Sequence, residues 1–286
     1  MRIHLVANIH RADALRAARE IGQWTEAHSH TVGYEAETAR SMGMTAVPAD
    51  EFADADLVIA FGGDGTLIRA AHLCSLRGTP ILGVYFGRFG FVTQCTPEDM
   101  RKHLERFLRG EALVESRMML ETRLMRAGSA VAVLHALNEI AVQRAVTARM
   151  MTFRVTVDGQ RITSYPADGV LVSTPTGSTA YNLSAGGPIL DPNVEAIVLT
   201  AIAPHTLSHR SLVLRPGSEL RLRVTSEGES VLSADALTRL HLLSGDEVHV
   251  TKSERVTNLV STSGHDFLGK LGHRLFWSKG MVGESL

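Results

Sequence analysis

Two rhythms of apolar and polar positions divide this chain. Over the first hundred residues strand-like runs, IHLVA, LVIAFGGDG and ILGVYFG, alternate with helix-like segments at residues 12–28 and in LIRAAHLCSL. That alternation predicts a parallel sheet flanked by helices. One more helix is predicted in MRKHLERFLRG, with Pro97 near its start and Gly110 as its stop. From about Val114 the texture changes to short β-rich segments: VAVLHALNEIAVQ, FRVTVDGQRI, GVLVSTP, AIVLTAI, LRLRVTS and DEVHVTKS. Asp-Gly, Gly-Ser and Pro-Gly turn chemistry separates several of them, which predicts an antiparallel sandwich. The predicted organisation is an α/β domain over residues 1–112 and a β-rich, sandwich-like domain over 113–258. Residues 259–286, apolar and basic at helical spacing in FLGKLGHRLFWSKG, form a final segment that folds back on the first domain.

Bulk properties narrow the function classes. A chain of 286 residues accommodates two domains at roughly one per 150 residues, and 44% hydrophobic with 21% charged residues is the composition of a globular protein. A net charge of −1 supplies no field that would attract nucleic acid or an anionic membrane. The first apolar run is too short for a signal peptide or a membrane span, and the two cysteines, Cys74 and Cys95, lack metal-ligand spacing. A reducing, cytoplasmic setting is the expectation.

Three segments carry candidate chemistry. The strand LVIAF runs into Gly62-Gly63-Asp64-Gly65-Thr66 and then a helix. A glycine-rich strand-to-helix turn lets backbone N–H groups approach a phosphate. A carboxylate at the helix start gains about 0.3–1 kcal/mol from the helix dipole and can accept a proton from a hydroxyl; the same Asp64 reads equally as a helix cap. The turn is neither a Walker A loop nor GxGxxG. Asn138-Glu139 interrupts the apolar stretch LHALNEIAVQR. Such a pair can read an adenine edge and a ribose diol, or sit at a solvated strand end. The segment from Asp168 to Pro188, DGVLVSTPTGSTAYNLSAGGP, combines small residues, hydroxyls and one aromatic, suiting either a backbone-lined crevice in which Tyr181 stacks on a flat ring or a long loop.

GGDGT resembles an element shared by NAD kinases, lipid kinases and, in shorter form, phosphofructokinases. GGDGT, Asn-Glu and DGxxxSTPTGSTAYxLSAGGP, in that order, resemble the NAD kinase family over essentially the whole chain. The resemblance implies a two-domain kinase that moves a phosphoryl group from ATP, or another triphosphate or polyphosphate, to the adenosine-ribose 2′-hydroxyl of NAD. Asp64 would be the general base with Gly65 beside it, Asn138 would contact adenine, and Glu139 the ribose hydroxyls. Asp168, Thr179, Ala180, Tyr181, Asn182, Leu183 and Ser184 would line the dinucleotide site, with Arg69 and Arg149 reaching its phosphates or lying on the surface. Mg²⁺ or another divalent cation would arrive with ATP rather than in a protein-held metal site, and a homodimer or homotetramer would be the assembly. Two stretches depart from the family pattern: Tyr85 stands where Asn is usual, and Asp235-Ala236-Leu237 where Asp-Gly-Gln is common.

Overall fold

A computed structural model describes residues 1–87, 90–92, 95–145, 151–206, 209–224, 229–261 and 267–275. The chain forms two compact units, Met1–Ser116 with Thr257–Leu286, and Arg117–Val256. Among the described residues no helix is long and apolar enough to cross a membrane.

The first unit follows the alternating rhythm: β1 (Arg2–Ala7), α1 (Ala12–Ala27), β2 (Thr31–Tyr34), α2 (Ala36–Met42), β3 (Leu57–Gly62), α3 (Asp64–Cys74), β4 (Ile81–Tyr85) and α4 (Met100–Leu108). Its strands lie parallel in the order β2-β1-β3-β4. All six residues of β3 are buried, as a central parallel strand covered on both faces requires. Helix α1 buries Ala14, Ala18, Ile21 and Thr25, one stripe at helical spacing, against Ile3, Leu5, Ile59 and Phe61. The order of the strands reverses between β1 and β3, and GGDGT lies at the carboxyl end of β3, where open α/β sheets place ligands. Cys74 and Cys95 are free and buried, and burial pushes both thiols up to about 12, leaving them inert.

The second unit is built from β5 (Leu113–Arg126), which starts in the first unit, β6 (Ser129–Ala136), β7 (Glu139–Arg144), β8 (Met151–Val157), β9 (Gln160–Ala167), β10 (Gly169–Ser173), the single turn α5 (Tyr181–Ser184), β11 (Ile197–Ile202), β12 (Leu212–Leu214), β13 (Leu220–Val224), β14 (Ser230–Ala234), β15 (Thr238–Leu242) and β16 (Glu247–Ser261). From Thr257 the end of β16 belongs to the first unit, followed by α6 (Phe267–Arg274). One antiparallel sheet runs β12-β11-β10-β7-β14-β15. In the other, β13 lies between β8 and β16, and β9 flanks β8. Ile140, Val142, Val170, Val172, Leu199 and Leu232 meet Phe153, Val155, Leu220, Leu222, Val248 and Val250 in one core, the sandwich that the short alternating segments predict.

One expected strand is in fact two. VAVLHALNEIAVQ reads as a continuous run, but the chain bends at Leu137-Asn138, so that β6 pairs with β5 in one sheet and β7 with β10 and β14 in the other.

Candidate active site

In the first unit, Gly63 caps α3 from an extended conformation and Asp64 is the helix's first residue. The backbone N–H groups of Phe91 and Val92 donate to the two oxygens of the Asp64 carboxylate, at 3.0 and 3.3 Å. Gly90 makes this approach possible: a Cβ there would lie 2.0 Å from Asp64 Oδ1. The GVYFGRFGF stretch therefore bears on the candidate base, although Arg88 and Phe89 lie outside the described residues. Tyr85 is bound through its backbone, its N–H donating to the Cys95 carbonyl at 3.0 Å.

Arg69, on the next turn of α3, is engaged within the unit. Its guanidinium pairs with Glu37, lies 3.4 Å from Glu35 and donates to the Ala7 carbonyl at 2.8 Å. Burial pushes the Glu35 carboxyl up, but the N–H groups of Glu37 and Thr38, the Thr38 hydroxyl and Arg69 outweigh it and leave it below the ordinary range. The guanidinium thus ties α3 to α2 and to the end of β1. Arg149 lies outside the described residues.

In the second unit the Leu137-Asn138 corner is the centre of a polar cluster. A chain that leaves one sheet for another loses its ladder partners, so its N–H groups need others. Asp235, on the turn between β14 and β15, supplies them: Oδ2 accepts from Leu137 N at 2.7 Å, and Oδ1 from Asn138 N and Glu139 N at 2.8 and 3.0 Å. On the carbonyl side, the Thr174 hydroxyl donates to Leu137 O at 2.6 Å, and the Ser173 hydroxyl and Thr174 N–H to Asn138 O at 3.1 and 2.9 Å. Gly177 packs against the same carbonyl, where a Cβ would lie 2.1 Å from the oxygen. The STPTG run, from Ser173 to Gly177, therefore builds the corner.

The side chains of the corner are left over. Asn138 and Glu139 are 7% and 8% exposed, and Asn138 Oδ1, Glu139 Oε2 and Thr176 Oγ1 are buried with no hydrogen-bond partner among the described residues. Each such atom costs about 1–3 kcal/mol unless a ligand takes it up. Burial, and next the charge of Asp235, push the Glu139 carboxyl up to about 8, against a hydrogen bond from the Tyr181 N–H.

The rest of the block divides by exposure. Thr179 and Ala180 are half-buried, Tyr181 is 38% exposed, and Leu183 and Ser184 reach the surface in part. Asn182 is fully buried: its amide donates to the Ser178 and Pro188 carbonyls at 3.2 and 2.9 Å and its oxygen accepts from the Thr200 hydroxyl at 2.7 Å. Asp168 pairs with Arg144 at 2.7 Å, and that hydrogen bond holds its carboxyl below the ordinary range. Asp235, Gly90 and Gly177 are the positions that sequence reasoning did not assign. The signal for Asp235 was its Asp standing at the Asp-Gly-Gln position while the two following residues differ.

Known proteins share the sequence and the fold of this chain. Residues 3–112 match the ATP-NAD kinase N-terminal domain and residues 137–262 the ATP-NAD kinase C-terminal domain. The chain is 38% identical over 285 residues to an NAD kinase of Citrifermentans bemidjiense, covering 97% of this chain and 99% of that one. Among solved structures, the yeast NADH kinase complexed with NADH superposes with a TM-score of 0.90 at 25% identity, covering all of this chain and 89% of that one. An NAD kinase from Archaeoglobus fulgidus in complex with ATP superposes at 0.77, also at 25% identity, covering 95% and 98%. With two domain matches in order and a full-length relative, the chain belongs to the NAD kinase family.

Proposed function

We propose that in this chain's reaction, phosphoryl transfer from ATP to NAD, Asp64 takes the proton of the adenosine-ribose 2′-hydroxyl while Asn138 and Glu139 hold the nucleoside. The observation that carries this reading is the orphaned pair Asn138 Oδ1 and Glu139 Oε2, two acceptors buried side by side in sequence on a corner built to fix them. An adenine amino group and a ribose diol are donors suited to those two oxygens. Tyr181, exposed at the start of α5, offers a ring face, and Asp168, Thr179, Ala180, Leu183 and Ser184 supply the surrounding polar and backbone contacts. Asn182 holds that segment in shape from beneath.

Catalysis in this class is alignment of the acceptor hydroxyl with the γ-phosphate together with charge neutralisation. The divalent cation belongs to the ATP substrate and enters with it. At Asp64 the carboxylate is held at a helix N-terminus by two backbone N–H groups, in a fixed orientation for proton acceptance. Arg69, tied to Glu35 and Glu37, holds the helix bearing Asp64 to its neighbours. A cytoplasmic setting and a homo-oligomeric assembly complete the reading. Support for the second comes from the edge strand β12, with Val213 53% exposed. Light scattering should give more than one chain, and an active monomer would overturn that part.

The test is incubation of the purified chain with Mg-ATP and NAD, reading NADP with an NADP-specific dehydrogenase. Parallel reactions with diacylglycerol and sphingosine should stay silent. Lipid phosphorylation without NADP would overturn the reading.

A further inference from the structure

The turn between β14 and β15 is shaped against local preference. Asp235 and Ala236 have φ of +50° and +57°, and the Leu237 N–H closes the turn on the Ala234 carbonyl at 3.0 Å. A turn with positive φ at both central positions favours Asn-Gly, and an exposed alanine there forfeits the freedom that glycine has. A strained position persists where surroundings over-determine it. Here the determinant is the carboxylate of Asp235, 6% exposed and receiving the N–H groups of Leu137, Asn138 and Glu139 while its own N–H donates to the Glu139 carbonyl at 3.0 Å. Three successive N–H groups converging on one anion make a backbone nest. The next residue pair along, Ala234 with Ile140, is in register in the β14–β7 ladder, so the nest is continuous with the sheet.

We infer that Asp235 is a positioning residue for nucleoside recognition: through the three N–H groups of the β6–β7 corner it sets the directions in which Asn138 and Glu139 present their unpaired oxygens to the adenosine of the substrate. The inference rests on the reading of Asn138 and Glu139 given above. The carboxylate of Asp235 meets the need of the corner, and Ala236, where a glycine would be free of strain, holds its positive φ at a cost. Removing the charge has two consequences. The corner loses one acceptor, so the side chains lose their fixed directions. The carboxylate of Glu139 also loses the like charge that acts on it, Asp235 being the charged group that bears on it and the Tyr181 N–H its donor.

The experiment uses the full chain and measures NAD dissociation constants by calorimetry from pH 6.5 to 9. The variants are Asp235→Asn, Glu139→Ala and, as a host with a relaxed turn, Asp235→Asn combined with Ala236→Gly. The double variant joins the two residues that this turn favours most, which keeps the test usable if the single variant does not fold. The expected result is NAD affinity at pH 9 lower by roughly tenfold in the Asp235→Asn variants, the loss of one buried hydrogen-bond arrangement. The pH midpoint of NAD binding should also move below that of the wild type. The midpoint shift follows from the lost charge alone, so the affinity at pH 9 decides: a role confined to folding would lower the melting temperature and leave NAD affinity at pH 9 at the wild-type value, overturning the inference. Unchanged NAD affinity in folded Glu139→Ala would overturn the reading beneath it. Weakened binding in Glu139→Ala with wild-type binding in the double variant overturns the role of Asp235 alone.

Discussion

Replacing Glu139 with Gln keeps the shape of the side chain and removes both its charge and its titration. In the wild type that carboxyl is 8% exposed and lies at about 8, raised by burial and by Asp235. At pH 7 such a group is ionised in about one molecule in ten, and at pH 9 in about nine in ten. A ribose diol donates to the carboxylate form, so the apparent affinity for NAD scales with the ionised fraction and should be about tenfold tighter at pH 9 than at pH 7. Below pH 8 each NAD bound should release close to one proton, visible as a binding heat that depends on the buffer. In Glu139→Gln the slope and the proton release should both vanish, and affinity at pH 9 should fall by about tenfold or more. Stability moves the other way. Because the folded-state value is raised from 4.5 to about 8, the folded protein keeps a proton that the unfolded chain gives up, so stability declines as pH rises across that window. The decline is on the order of 5 kcal/mol at full ionisation. Glu139→Gln removes it, so the variant should melt higher than the wild type at pH 9 while binding NAD less tightly. NAD affinity independent of pH between 7 and 9 in the wild type, or an equal slope in Glu139→Gln, would exclude the Glu139 carboxylate as the acceptor of the ribose hydroxyls.

Two other substitutions test the supports of the site. Gly90→Ala pushes a methyl into the Asp64 carboxylate; turnover should fall by about a hundredfold with NAD affinity little changed, since displacement of a reacting group by about 1 Å has that effect. In an Asp64→Asn background the same change should add almost nothing, because it acts through that carboxylate, and a full additional loss in the double variant would contradict this route. Asn182→Ala leaves the Ser178 and Pro188 carbonyls and one Thr200 bond unmatched in the interior, which should cost about 2–4 kcal/mol in chemical denaturation. Stability within 0.5 kcal/mol of the wild type would show that these buried hydrogen bonds contribute no net stability.

How much was legible depended on the distance over which each feature is decided. Strand β3 and the helix after it were plain, because apolar run, glycine turn and helical spacing are local patterns. So was the sandwich, whose strands are punctuated by turn residues every few positions. The Leu137-Asn138 corner was not legible, since VAVLHALNEIAVQ has one unbroken pattern and the bend is imposed by Asp235, 97 residues beyond Asn138. Asn182 sits among residues that read as ligand contacts, but Thr200 on β11 commits it to the interior. Arg69 has a residue type that suits phosphate and follows a glycine-rich turn, but Glu35 and Glu37, more than thirty residues earlier, engage its guanidinium. In each case the residue type was readable and the partner was not.

If Asp64 is the base for transfer to NAD, Asp64→Asn should abolish most of the turnover and little else. Asparagine retains an oxygen that accepts from the Phe91 or Val92 N–H and loses the basic carboxylate. With NAD and Mg-ATP saturating, NADP formation should drop by roughly 10²–10⁴-fold, with the NAD dissociation constant and the melting temperature near those of the wild type. A folded Asp64→Asn enzyme that forms NADP at close to the wild-type rate would remove Asp64 from the mechanism.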